Sequence, residues 1–260
     1  MDVEMKKYTL EDLENFEIDE YSGYKICPTG DYTGIRRFPG CCIFGRQCSF
    51  GEWSSFGEQC SFGERCSFGR QCSFGEECSF GRWISFGELC IFGRQCSFDK
   101  QCRFGRLCSF GERCSFGRQC SFGEECSFGR WISFGELCIF GRQCSFDKQC
   151  RFGRLCSFGE RCRFSELWLC SFGEECSFGG GCKVENNKEI KEMIKFEGFG
   201  SKHRCTYFFK LTDGRIYVRC GCFAGYIDEF REQVKETHGD NKFAKEYEAV
   251  ADLAEMHFGD

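Results

Sequence analysis

The sequence predicts a mainly β chain wound as a parallel solenoid, with three six-residue units and 18 residues per coil and about eight coils in all. A short helical cap is expected over residues 1–40, the solenoid over 41–184, and a small α+β module over 185–260. Three observations carry this. From Phe44 to Phe164 every sixth residue is Phe, and after a two-residue slip the series resumes at Phe172 and Phe178. Cys stands two positions before most of these Phe, so in an extended segment the two side chains share one face while Ser between them points away. With units three apart stacked, the charge that follows each unit's Gly alternates strictly in sign at one corner and is mostly opposite at the other two, whereas other stackings bring mostly like charges together.

A strand this short cannot bury its apolar face alone, and stacking on the next coil is the physical remedy. Gly follows Phe in most units, with Asp99, Asp147 and Ser165 as departures, and these residue types suit a corner. Stacked coils bring equivalent positions to about 4.8 Å, where like charges repel. With three units per coil one corner reads Glu52, Arg70, Glu88, Arg106, Glu124, Arg142, Glu160, a strict alternation. Two or four units per coil would instead stack Arg70 with Arg82 or with Arg94.

The unit Cys60-Ser61-Phe62-Gly63-Glu64-Arg65 resembles the hexapeptide repeat of left-handed parallel β-helix proteins, slot by slot, with Phe in place of the family's aliphatic residue. The resemblance covers a little over half of the chain. It implies a left-handed parallel β-helix and, by analogy, a homotrimer. The family's acyltransferases and carbonic anhydrases rely on His from the coils; this ladder has none, because His203, His238 and His257 all lie beyond it.

The ladder supplies most of the 33 Phe and 26 Cys. Its cysteines read as small buried hydrophobes kept reduced, since metal sites use shorter spacings and Ile84 and Ile132 take the same slot. Met1–Lys7 lacks the apolar core of a secretory signal, and no apolar run reaches the roughly 18 residues of a membrane span. A cytoplasmic protein with no membrane partner is expected, in the host cytosol if phage encoded. Residues 41–182 carry 17 basic and 16 acidic side chains. That balance supplies neither the basic stripe of a nucleic-acid binder nor the acidic surface of a nucleic-acid mimic.

Along the chain, Thr9 caps a helix expected to run to about Asp19, with Leu10, Leu13 and Phe16 on one face. Phe38 is already in register with the ladder. Residues 60–114 recur identically as 108–162, an offset of 48 residues or eight units, which turns the copy by one face and puts Trp53, Trp83 and Trp131 on different faces. Ser165–Leu169 adds two residues, read as a bulged corner loop carrying Trp168. Beyond Cys182, segments near 189–198, 204–211 and 215–222 read as strands, the last two joined by Thr212-Asp213-Gly214. Helices follow at about 226–238 and 241–257. This region resembles the C-terminal part of phage and prophage proteins that carry Cys-rich repeats, in Arg219-Cys220-Gly221-Cys222-Phe223-Ala224-Gly225 and Thr237-His238-Gly239-Asp240-Asn241-Lys242.

The metal-like group outside the ladder is His203, Cys205, Cys220 and Cys222, which two paired strands would bring together. The more ordinary expectation for these residues is half-buried cysteines, with no cofactor bound. The sequence therefore predicts a non-enzymatic rigid β-solenoid scaffold or protein-interaction protein, phage or prophage encoded, whose unknown protein partner binds the C-terminal module. The alternatives are a hexapeptide-repeat acyltransferase-like enzyme and a thiol-based metal-binding protein.

Overall fold

The computed structural model of the chain describes residues 5–164, 170–173, 176–178, 182–184, 188–201 and 206–259. The ladder forms a parallel β-solenoid with three walls. Each unit contributes a two-residue Ser-Phe strand, shorter than the unit's apolar pattern implies, and pairs with the unit 18 residues away: Ser61 with Ser79, Phe62 with Phe80. Ser67 N–H donates to Cys48 O at 2.9 Å and Gly69 N–H to Phe50 O at 3.0 Å, while Gln47 N–H donates to Glu64 O at 2.8 Å. Across the two-residue slip, Phe172 pairs with Phe152, so that circuit holds 20 residues; the predicted loop at Ser165–Leu169 lies outside the described residues.

Phe rings and Cys thiols fill the interior. Rings stack along the axis, as Phe62 does on Phe80 (5.0 Å between centroids, 6° between planes), and meet edge to face around the circuit, as Phe62 does Phe68 (5.0 Å, 87°). Both geometries are favoured by the ring quadrupole, so one residue type satisfies neighbours in two directions. Each thiol also has a hydrogen-bond acceptor on the coil beneath: Cys66 donates to Gly45 O and Cys96 to Gly75 O, both at 3.4 Å. Cys is thus small enough for the wall and still a weak donor.

The corner works differently from the expectation. Among the described residues no ladder Gly has a positive φ; the left-handed conformation falls two residues later, on Gln47 (58°), Trp83 (57°) or Leu107 (58°). Gly is needed for close approach instead. A Cβ on Gly105 would lie 2.7 Å from Glu88 N and from Gly87 C and O, backbone that cannot step aside. Where Asp99 fills this slot, the Trp83 N–H to Lys100 O distance is 3.2 Å, against 2.9 Å for Gln95 to Glu112 in an all-Gly corner. The Asp99 carboxylate accepts from Lys100 N–H at 2.7 Å, which offsets part of that cost.

The alternating charges become ladders of ion pairs between adjacent coils. Arg70–Glu88, Arg106–Glu124 and Arg142–Glu160 meet on one corner at 3.3, 3.5 and 3.1 Å. Arg82–Glu64 and Arg118–Glu136 occupy the second at 2.5 and 2.8 Å, and Arg94–Glu76 and Arg130–Glu112 the third at 2.9 and 2.7 Å.

The N-terminal segment joins the walls. Lys25–Cys27 pairs with Cys42–Phe44, and Phe38 pairs with Phe56. Tyr32 continues the column of Phe50 (5.4 Å, 15°), Tyr8 stacks on Tyr32 (5.0 Å, 22°), and Phe16 meets Tyr8 edge-on at 5.1 Å. Helix α1 (Leu10–Asn15) is shorter than predicted because Phe16 turns extended (ψ 144°), carrying its ring to this aromatic cap. Thr9 caps α1 as expected, exchanging hydrogen bonds with Asp12. Leu13 is buried and Leu10 is exposed, so the helix covers the open coil with one side only.

At the other end Lys183–Val184 pairs antiparallel with Lys188–Phe196, which carries the third wall directly into an antiparallel sheet. That sheet continues through Thr206–Leu211, Ile216–Cys220 and a fourth, unpredicted strand, Phe223–Tyr226. Tyr207 and Phe209 face the end of the rod; Phe208 faces helices α2 (Ile227–His238) and α3 (Lys242–Phe258). The alternation of a strand thus closes the solenoid with one face and builds a second core with the other.

Candidate functional site

Two regions could carry function: the rod surface and the C-terminal module. The rod interior is closed, with the described ladder Phe up to Phe172 and the thiols beside them all buried. Most of the shifted thiols are held protonated, the proton of each column resting on one partner of a hydrogen-bonded pair. Cys90 and Cys96 are pushed up to about 12, first by hydrogen bonding to the thiols of Cys108 and Cys114 on the next coil and then by burial.

The module holds a cleft of about 550 Å³ lined by the Cys220-Gly221-Cys222-Phe223 turn, Ser201, Phe230, Gln233, Thr237, His238 and Tyr247. Local chemistry explains its shape. Ile216–Cys220 and Phe223–Tyr226 are joined by a two-residue hairpin with Gly221 at φ 61°, and Gly in the first central position is what a type II′ turn requires. Cys220 and Cys222 therefore do not share a strand face as a straight strand would have them. Cys220 ends the strand opposite Thr206, whose hydroxyl donates to its Sγ at 3.1 Å, and Cys222 sits exposed in the turn. His203 and Cys205 lie outside the described residues. Among the described residues no group of three or more His, Cys, Asp or Glu is arranged to hold a metal ion.

The far wall of the cleft comes from the helices. His238, the last residue of α2, stacks on Tyr247 of α3 (5.5 Å, 21°). Burial, then the neighbouring Cys220, pushes the Tyr247 phenol up, so it remains a neutral donor. Arg231 pins α2 to α3 through Glu248, Asp252 (2.7 Å) and Glu255 (2.8 Å), fixing the walls relative to each other. Asn241 caps α3 by accepting from Phe243 N–H at 2.8 Å and Ala244 N–H at 3.1 Å. Among the described residues no carboxylate lines the cleft, and His238 is the one lining residue with a titratable nitrogen. Aromatic floor, thiols and small polar groups suit an uncharged, partly aromatic side chain of a partner.

Phe230, Val234 and Tyr247 are buried on the inner faces of their helices, and no sequence expectation joined them to Cys220 and Cys222. The signal was the Gly221-Cys222 turn, which folds the strand back towards the helices. No helix among the described residues is long and apolar enough to cross a membrane. No family model, curated protein or solved structure matches the chain.

Proposed function

We propose that the protein is a non-enzymatic, rigid scaffold, phage or prophage encoded, in which a left-handed hexapeptide-repeat solenoid holds the C-terminal module at a fixed distance and angle, and the module's cleft binds a protein partner. The observation that carries this reading is the shared sheet. Val184 pairs with Lys188 and Lys183 with Glu189, so rod and module are joined by a continuous ladder instead of a tether. Arg219 adds a bond to Cys170 O at 2.6 Å. About eight coils at about 4.8 Å give a rod near 40 Å long. A stiff joint is wasted on a module that only needs to be recruited, and is useful for one whose position matters. The free, buried thiols fit a reducing compartment such as the host cytosol. A flat wall of the rod is the surface available for trimerisation.

The test is capture of partners by the full chain. Gln233→Arg with Thr237→Arg should abolish capture, whereas Ser79→Arg with Ser97→Arg on the rod should leave it intact. The reverse pattern would refute the assignment of binding to the module.

A further inference from the structure

The rod surface carries a second kind of site that the scaffold role does not use. A cleft of about 430 Å³ opens beside one corner, lined by Trp83, Ile84, Ser85, Gln101, Arg103 and Gln119. Its only charged lining group is the Arg103 guanidinium. Arg103 stands in the outward slot that is Ser in most units, between Ser85 and Ser121 on its wall, and makes no ion pair among the described residues. Three residues before it, Lys100 occupies a corner column between Arg82 and Arg118. Those two are neutralised by Glu64 and Glu136 at 2.5 and 2.8 Å, while Lys100 has no carboxylate partner among the described residues.

The aromatic side of the cleft is held in place. Arg82 and Arg65 lie over the Trp83 indole at 4.9 and 5.4 Å, and Arg82 is fixed in turn by Glu64. The same constellation occurs a second time. Arg130 and Arg113 lie over Trp131 at 5.0 and 5.4 Å, Arg130 is bound by Glu112 at 2.7 Å, and Arg151 takes the slot of Arg103. The 48-residue duplication moved these residues together, so turning the copy onto another face leaves each local arrangement whole. The position that would answer to Gln119 at this second corner lies outside the described residues.

We propose that the Trp83 corner binds an oxyanion group, phosphate or carboxylate, of a small ligand, and that the Trp131 corner is a second copy. The Arg103 fork takes two oxygens, the Gln101 and Gln119 amides and the Ser85 hydroxyl supply further donors, and the Trp83 indole flanks whatever the anion is attached to.

The indole N–H signals of the four Trp, in full-length protein labelled at Trp, report each corner separately. Inorganic pyrophosphate and citrate are titrated in parallel, one arm for each oxyanion. One of them should shift the Trp83 and Trp131 signals saturably, while Trp53 stays put. Arg103→Ser should weaken binding at Trp83 by about tenfold or more and leave the Trp131 titration unchanged, which also shows that the variant is folded. The proposal is overturned if neither anion gives saturable shifts, if all four indoles move together, or if Arg103→Ser leaves the Trp83 curve where it was.

Discussion

Arg130 and Glu112 are eighteen residues apart in sequence and side by side on adjacent coils, with guanidinium Nη2 at 2.7 Å and Nε at 3.0 Å from the same carboxylate oxygen. Seven such pairs tie neighbouring coils. Because both partners are substantially exposed, each pair adds little by itself, so their larger effect is to penalise a coil that slips by one unit. Glu112→Lys should therefore lower the melting temperature by a few degrees at low salt, with the loss shrinking at high salt. The double variant with Arg130→Glu should recover most of it. No recovery would mean that the pair does not couple.

Acid should act on the same ladders. The Arg82 guanidinium, by hydrogen bond and charge, holds the Glu64 carboxyl below its ordinary value. A carboxyl depressed in the folded state gives stability that is present above its unfolded pKa and is lost as pH falls through the folded one. Stability should thus hold down to about pH 5 and decline below about pH 4, and Glu64→Gln should flatten that decline. An equally steep decline in E64Q would assign acid sensitivity elsewhere.

Alkali should act on the interior. Cys90, Cys96 and Cys108 are each pushed up to about 12, through the next thiol in the column and through burial, whereas an unfolded cysteine ionises near 8.5. Between these values the unfolded chain releases protons that the folded chain keeps. Each such thiol then removes about 1.4 kcal/mol of stability per pH unit. With many thiols acting together, circular dichroism should show steep, cooperative unfolding between about pH 9 and 11. A folded rod at pH 11 would contradict the description of the interior.

The corners give a pair of opposite expectations. Gly105→Ala places a Cβ 2.7 Å from backbone of the coil beneath and should cost about 2 kcal/mol or more, while Gly34→Ala, with nothing within 4 Å, should be near neutral. Leu107, exposed and held at φ 58°, pays for a conformation that Asn adopts more readily. Leu107→Asn should stabilise by about 0.5–1 kcal/mol in thermal melts. A loss there would show that the leucine's packing outweighs its backbone strain.

The coil length and the ion-pair partners were legible in the sequence because a strict period makes neighbours of residues a fixed distance apart, and the sign of charge tests each period. The role of Gly105 was not. A small residue at a corner is equally consistent with a special φ and with close approach, and only the inter-coil distance separates them. Tyr32 and Tyr8 extend the Phe50 column without matching the hexad, so the period could not announce them. The strand Phe223–Tyr226 was hidden because Cys220-Gly221-Cys222 reads as ligands on one strand until Gly221 is seen to turn the chain.

The joint between rod and module rests on a substitution of one structure for another. The wall that ends with Ser171–Phe172 has no further strand among the described residues to receive its outer backbone groups. The Tyr207 hydroxyl takes that place, accepting from Phe172 N–H at 3.2 Å and donating to Phe172 O at 3.3 Å. Tyr207→Phe keeps the ring against the core but leaves two buried backbone groups without this partner, a loss of about 1–3 kcal/mol confined to the end of the rod. Hydrogen exchange should show Phe172 and the coil from Cys150 exchanging faster, with coils near Phe92 unchanged and Tyr21→Phe, on a fully exposed residue, giving no effect. Unchanged exchange at Phe172 would mean that the shared sheet alone closes the solenoid, and that the module's orientation is set by Lys183–Val184 and its partner strand.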